Sequence, residues 1–180
     1  MRKTIIHFFT IADYEEEEIW LRRQHQNGWK LVKLIVPCFY VFESCEPEDV
    51  IYRLDYKNFK QTEEYIQLAQ DFGWEYFFKC VGWLYFRKPV QADEEEAEEL
   101  FSDNISRVEM AQQVARTRLI PLTVIFLCCI IPNLLNAVNS RIGGFSVFFG
   151  IFFGVMFIIY LYLIIYCGIK LTMIRKKYLN

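Results

Sequence analysis

Apolar positions along this chain follow three different patterns. From Leu119 to Leu135 and from Ile142 to Ile169 they run almost without interruption, and neither run contains Asp, Glu, Lys, Arg or His. A helix needs ~20 apolar residues to cross a ~30 Å hydrocarbon core, so the two runs predict a transmembrane hairpin over 119–180. Upstream, the apolar residues form short groups, alternating as in strands or spaced as on one side of a helix. Thr4–Phe9 reads as a strand, Asp13–Asn27 as a helix, and Trp29–Val36 and Phe39–Glu43 as strands. The same order follows in Ile51–Asp55, Phe59–Phe72, Trp74–Lys79 and Trp83–Arg87.

These two β-α-β-β sets superpose when the chain is shifted by 45 residues. Tyr14, Trp20, Leu21, Gly28 and Trp29 then fall on Phe59, Tyr65, Ile66, Gly73 and Trp74, and Tyr40 falls on Tyr85. Asp13 with Glu16 has the spacing of a helix N-cap box, Asn58 is the second cap, and Gly28 and Gly73 sit where a helix ends in a left-handed residue. The expected fold is α+β: a duplicated, ferredoxin-like domain over 1–90, with one mixed sheet and both helices on one face. An acidic, amphipathic helical linker over 91–118 then leads to the membrane hairpin and its short basic tail.

In Phe39-Tyr40-Val41-Phe42 and Trp83-Leu84-Tyr85-Phe86 both alternating sets are apolar or aromatic, so both faces of those strands require cover. Two helices on one face leave the other open. Tyr40, Trp83 and Tyr85 are therefore the candidate partner or ligand surface, and self-association is one way to cover it.

Charge sharpens the division. All 22 acidic residues precede Met110, and the chain before Leu119 carries 15 Lys and Arg against 5 after it. No basic face stands out, which argues against direct nucleic-acid binding. Arg107, Arg116 and Arg118 precede the first run and Lys170, Arg175, Lys176 and Lys177 follow the second, whereas the connecting loop offers Arg141; both termini are expected in the cytoplasm. The short N-terminal apolar run is followed by five acids and lacks a small-residue cleavage site, so it is not read as a signal peptide. The six cysteines form no CxxC pair and fit free thiols in a reducing compartment.

No catalytic constellation stands out. His7 and His25 are the only histidines, phosphate loops are absent, and Glu15 to Glu18 and Glu94 to Glu96 are contiguous runs that point around a helix. No cofactor or metal is implied, and an enzyme is not expected. Gly150 and Gly154 form a GxxxG match, which permits close helix packing within or between chains.

Trp20-Leu21, Asn27-Gly28-Trp29-Lys30-Leu31, Phe39-Tyr40-Val41-Phe42-Glu43, Tyr52-Arg53-Leu54-Asp55-Tyr56, Tyr65 and Gly73-Trp74-Glu75 together resemble the DUF2812 family of uncharacterised bacterial proteins, over roughly residues 1 to 115. That resemblance implies regulatory company, since similar proteins are often encoded beside PadR-like winged-helix regulators, and it implies no catalytic residues. The expected role is a membrane-anchored adaptor or sensor; an accessory subunit of a transporter or other membrane complex is the alternative.

Overall fold

The computed structural model describes residues 1–56, 62–90, 104–139 and 144–179. It divides into two compact units, Met1–Met110 and Ala111–Asn180.

The first unit is mixed α+β. Its elements are β1 (Arg2–Ile6), α1 (Tyr14–Gln26), β2 (Trp29–Ile35), β3 (Phe39–Ser44), β4 (Val50–Tyr56), α2 (Thr62–Asp71), β5 (Glu75–Cys80) and β6 (Trp83–Pro89). They build two antiparallel three-stranded sheets, ordered β1-β3-β2 and β4-β6-β5, in place of the single mixed sheet expected. The edge strands β2 and β5 approach one another. Each carries a bulge, between Leu31 and Lys33 and between Tyr76 and Phe78, which interrupts the regular edge that a continuous ladder needs.

Both helices do end where glycine permits it: Gly28 and Gly73 have φ of 80° and 81°. At the other end of α1, Asp13 occupies the N-cap position without bonding the helix amides. Its carboxylate instead accepts the Thr10 N–H at 2.7 Å, closing the loop that leads into the helix. The Asn58 cap and the acidic stretch 91–99 lie outside the described residues.

The helices do not share a face. α2 covers one side of the second sheet, where Ala69, Tyr65 and Ile66 pack with Ile51, Trp74, Leu84 and Phe86. α1 lies against the inner face of the first sheet and also along the second: Trp20 meets Tyr40 and Phe42 at ring distances of 5.0 and 5.6 Å, while His25 meets Tyr52 and Tyr14 meets Trp83. The second sheet is thus covered on both sides, by α2 and by α1, which answers the demand of its doubly apolar strands. The open edge of β4 is closed as well, since the Leu54 N–H donates to Glu18 at 2.7 Å and the Tyr56 N–H to the Met110 sulfur at 3.4 Å.

The outer face of the first sheet has no helix on it among the described residues. Ile6 and Ile35 both pair with Phe39, forming one exposed cross-strand row of 69%, 48% and 36% accessibility, next to exposed Val36.

The second unit is helical. α3 (Asn104–Val114) begins within the first unit and continues without a break through a π-helical turn (Ala115–Leu119), α4 (Ile120–Ile125), a second π-helical turn (Phe126–Ile130) and α5 (Ile131–Asn139). Pro121 and Pro132 each follow a π-helical turn closely. A proline ring lacks an N–H and clashes with the carbonyl four residues back, and a wider turn relieves that clash. α6 (Gly144–Leu179) returns antiparallel, with Phe157 against Phe126, Gly150 near Ala137 and Gly168 near Leu119. A Cβ at Gly154 would meet nothing within 4 Å among the described residues, so of the GxxxG pair it is Gly150 that packs inside the hairpin. Arg107–Ala137 and Val147–Tyr178 are long and apolar enough to span a membrane, and an 18-residue stretch within each reaches mean hydropathies of 2.1 and 2.6.

Candidate functional site

The polar chemistry of the first unit gathers on α1. Counting along that helix, Tyr14, Glu18, Leu21 and His25 recur at helical spacing, and Glu17 lies beside them; all five are buried. Two clusters result.

In the first, the Glu17 carboxylate accepts the Tyr85 hydroxyl at 2.8 Å and also bonds the Tyr40 hydroxyl, so one side chain of α1 ties both sheets together. Removal from water pushes its pKa up to about 7, against the partial relief of those two bonds. The tyrosine hydroxyls are held well above their ordinary value by burial and by the facing carboxylate. Glu18, one residue on, accepts the Leu54 N–H and an Arg53 N–H at 3.0 Å; burial nonetheless pushes it up to about 7.

Tyr40 and Tyr85, expected on an open face, are 3% and 2% exposed, and Trp83 is half-buried between Tyr14 and Tyr56. The orientation expected from the 45-residue shift therefore needs correcting. The β2–β3 turn has three residues between the paired Ile35 and Phe39, whereas the β5–β6 turn has two, Val81 and Gly82, between Cys80 and Trp83. One residue fewer reverses which face a strand position occupies. By ladder position Tyr40 corresponds to Leu84, each facing its own unit's helix, and Tyr85 corresponds to Val41. Tyr85 does face away from α2, and α1 covers it.

The second cluster opens to solvent. His25, Lys30, Glu48, Glu75 and Arg87 line a cleft of about 240 Å³, with Val50 and Pro89 as an apolar wall. Arg87 makes two bonds to Glu75, at 2.7 and 2.6 Å, and lies 4.8 Å from the Phe77 ring centre. It also bonds the Tyr52 hydroxyl, which stands 2.8 Å from His25 Nδ1. Burial first, then Arg87, lowers the His25 pKa. Arg87 and Lys30 in turn help hold Glu75 below the usual carboxylate range, the direct bonds to Arg87 contributing most.

Apart from Tyr40 and Tyr85, none of these residues stood out as a site in the sequence. Glu17 and Glu18 were hidden inside an acidic run, although their place on the apolar stripe of α1 was a readable signal. His25 and Arg87 meet across 62 positions of sequence, which no local pattern links. No group of three His, Cys, Asp or Glu side chains is placed to hold a metal among the described residues.

No curated protein and no solved structure matches the chain. The family model described as "Protein of unknown function (DUF2812)" matches residues 13–123, well over half of the chain, and the protein belongs to that family.

Proposed function

We propose that this protein is a membrane-anchored regulatory adaptor that captures a protein partner on the outer face of its first sheet. The observation that carries this reading is the exposed Ile6–Phe39–Ile35 row, an apolar strip on a sheet face left without a helix in a chain that also has two helices able to span a bilayer. The surface first expected at Tyr40 and Tyr85 thus moves to the opposite side of the first sheet. A binding role fits better than catalysis, because the buried acids Glu17 and Glu18 are engaged in bonds that hold α1 between the sheets. The split β-α-β units are read as a ferredoxin-like duplication, and the hairpin as a cytoplasmic membrane's anchor with both termini inside the cell.

Affinity capture of the full-length protein from detergent extract tests the reading. The expected partner is a soluble regulator, with a PadR-like protein as the one the family resemblance implies. An Ile35→Lys, Phe39→Glu variant should keep its fold and lose that capture. Recovery of a polytopic membrane protein, unaffected by this variant, would instead favour an accessory subunit packed through its spans.

A further inference from the structure

We propose that the cleft lined by His25, Lys30, Glu48 and Arg87 is a binding site for a small zwitterion, a free amino acid or a molecule of that size carrying both a carboxylate and an ammonium group. This goes beyond the adaptor reading and rests on different residues.

The argument begins with the hydrogen that Tyr52 has to give. Its hydroxyl stands 2.8 Å from His25 Nδ1, and with that hydroxyl as donor the neutral imidazole carries its own proton on Nε2. His25 lines the cleft and its ring makes no other hydrogen bond among the described residues, so its second ring nitrogen is available to a ligand there.

Arg87 is already committed to Glu75 and Tyr52. Lys30 is not: it lines the same cleft and makes no hydrogen bond or ion pair among the described residues. Lys30 and His25 Nε2–H together suit a carboxylate. Glu46 and Glu48 line the cleft too, equally without a hydrogen bond or ion pair. A purely anionic ligand would meet these two carboxylates, and a purely cationic one would meet Lys30. A ligand with both charges pairs each of them. Size agrees, since about 240 Å³ is the share of roughly eight liquid waters at ~30 Å³ each, below the usual span of drug-sized pockets. Val50 and Pro89 offer an apolar side for a short aliphatic group.

Calorimetric titration of the full-length protein in detergent with each of the twenty common α-amino acids tests the site, followed by the N-acetyl and carboxamide forms of any that binds. At least one free amino acid should bind saturably, and blocking either end should weaken it at least tenfold. Lys30→Met and Glu48→Gln should each do the same while leaving the near-ultraviolet circular dichroism unchanged, because neither side chain makes a hydrogen bond or ion pair among the described residues. Binding that survives blocking of one end, affinities unaltered in both variants, or no binding by any of the twenty would each overturn the proposal. Partner capture through the Ile6–Phe39–Ile35 row is read separately, so either idea can fail alone.

Discussion

At the scale of single residues, the most consequential feature is a carboxylate placed where a hydrophobic side chain would ordinarily sit. Glu17 enters the space between two sheets and meets a hydroxyl from each, so it positions α1 against both at once. The arrangement has a pH signature with a definite sign. Glu17 and Glu18 bind their protons more tightly folded, near 7, than unfolded, near 4.5. The native state therefore holds more protons in that window, and stability should fall as pH rises from about 5 to about 8. His25, lowered by burial, acts in the opposite sense below its ordinary value, and Asp49 and Glu75, held low by arginines, act only at more acid pH. Comparing variants isolates the term: Glu17→Gln should flatten the decline in melting temperature between pH 6 and pH 8, and Tyr85→Phe should cost ~1–3 kcal/mol by leaving a buried acceptor short of a donor. Equal pH slopes in Glu17→Gln and wild type would show that Glu17 does not titrate in this range.

At the scale of elements, much of the first unit was legible and the reasons are specific. Gly28 and Gly73 ended helices because the chain turns through positive φ there, and short aromatic runs bounded by turn residues became strands within a few positions of the expected limits. What escaped was the difference between two hairpins. A shift of 45 residues aligns Tyr40 with Tyr85 in sequence, but one residue missing from the second turn puts them on opposite faces relative to their own helices, and a gapless comparison cannot register that. The place of α1 between the sheets escaped for another reason, since a run of four glutamates reads as a solvated face until the donors that bond two of them are known. The short turn makes a sharp prediction. Val81 and Gly82 have φ of 49° and 89°, the paired positive values of a tight two-residue hairpin, and a Cβ at Gly82 would stand 2.8 Å from the Tyr56 ring. At Gly28, with φ of 80°, the nearest atom would be the Cys45 carbonyl oxygen at 3.1 Å. Both Gly82→Ala and Gly28→Ala should therefore destabilise beyond the ~1 kcal/mol that positive φ costs an L-residue, whereas Gly73→Ala, whose Cβ would meet only the Lys88 side chain at 3.5 Å, should cost little more than that strain. Denaturant midpoints of the three variants check the order.

At the scale of the whole molecule, the chain forms two compact units of unlike composition, and the boundary between them falls within one helical stretch that runs from Asn104 to Asn139. The acid-free C-terminal stretch marked out the second unit, because each of its two apolar runs is near or above the length that crosses a hydrocarbon core. An even number of spans returns the chain to the side it left, so both ends must share a compartment if both helices cross. Which compartment follows from the positive charges: Arg107, Arg116, Arg118, Lys170, Arg175, Lys176 and Lys177 flank the spans on the terminal side, against Arg141 in the connection. Lys and Arg close to span ends are retained in the cytoplasm, so the prediction is that the mixed α+β unit lies inside the cell and the connection outside. With the six native cysteines replaced, a cysteine introduced at Ser140 should be labelled by a membrane-impermeant thiol reagent in intact cells, and one at Lys3 should be labelled only after the membrane is opened. Labelling at Lys3 in intact cells, with Ser140 protected, would invert the topology. Labelling of both would mean that one of the two apolar helices does not cross, and the anchor would then be a single span.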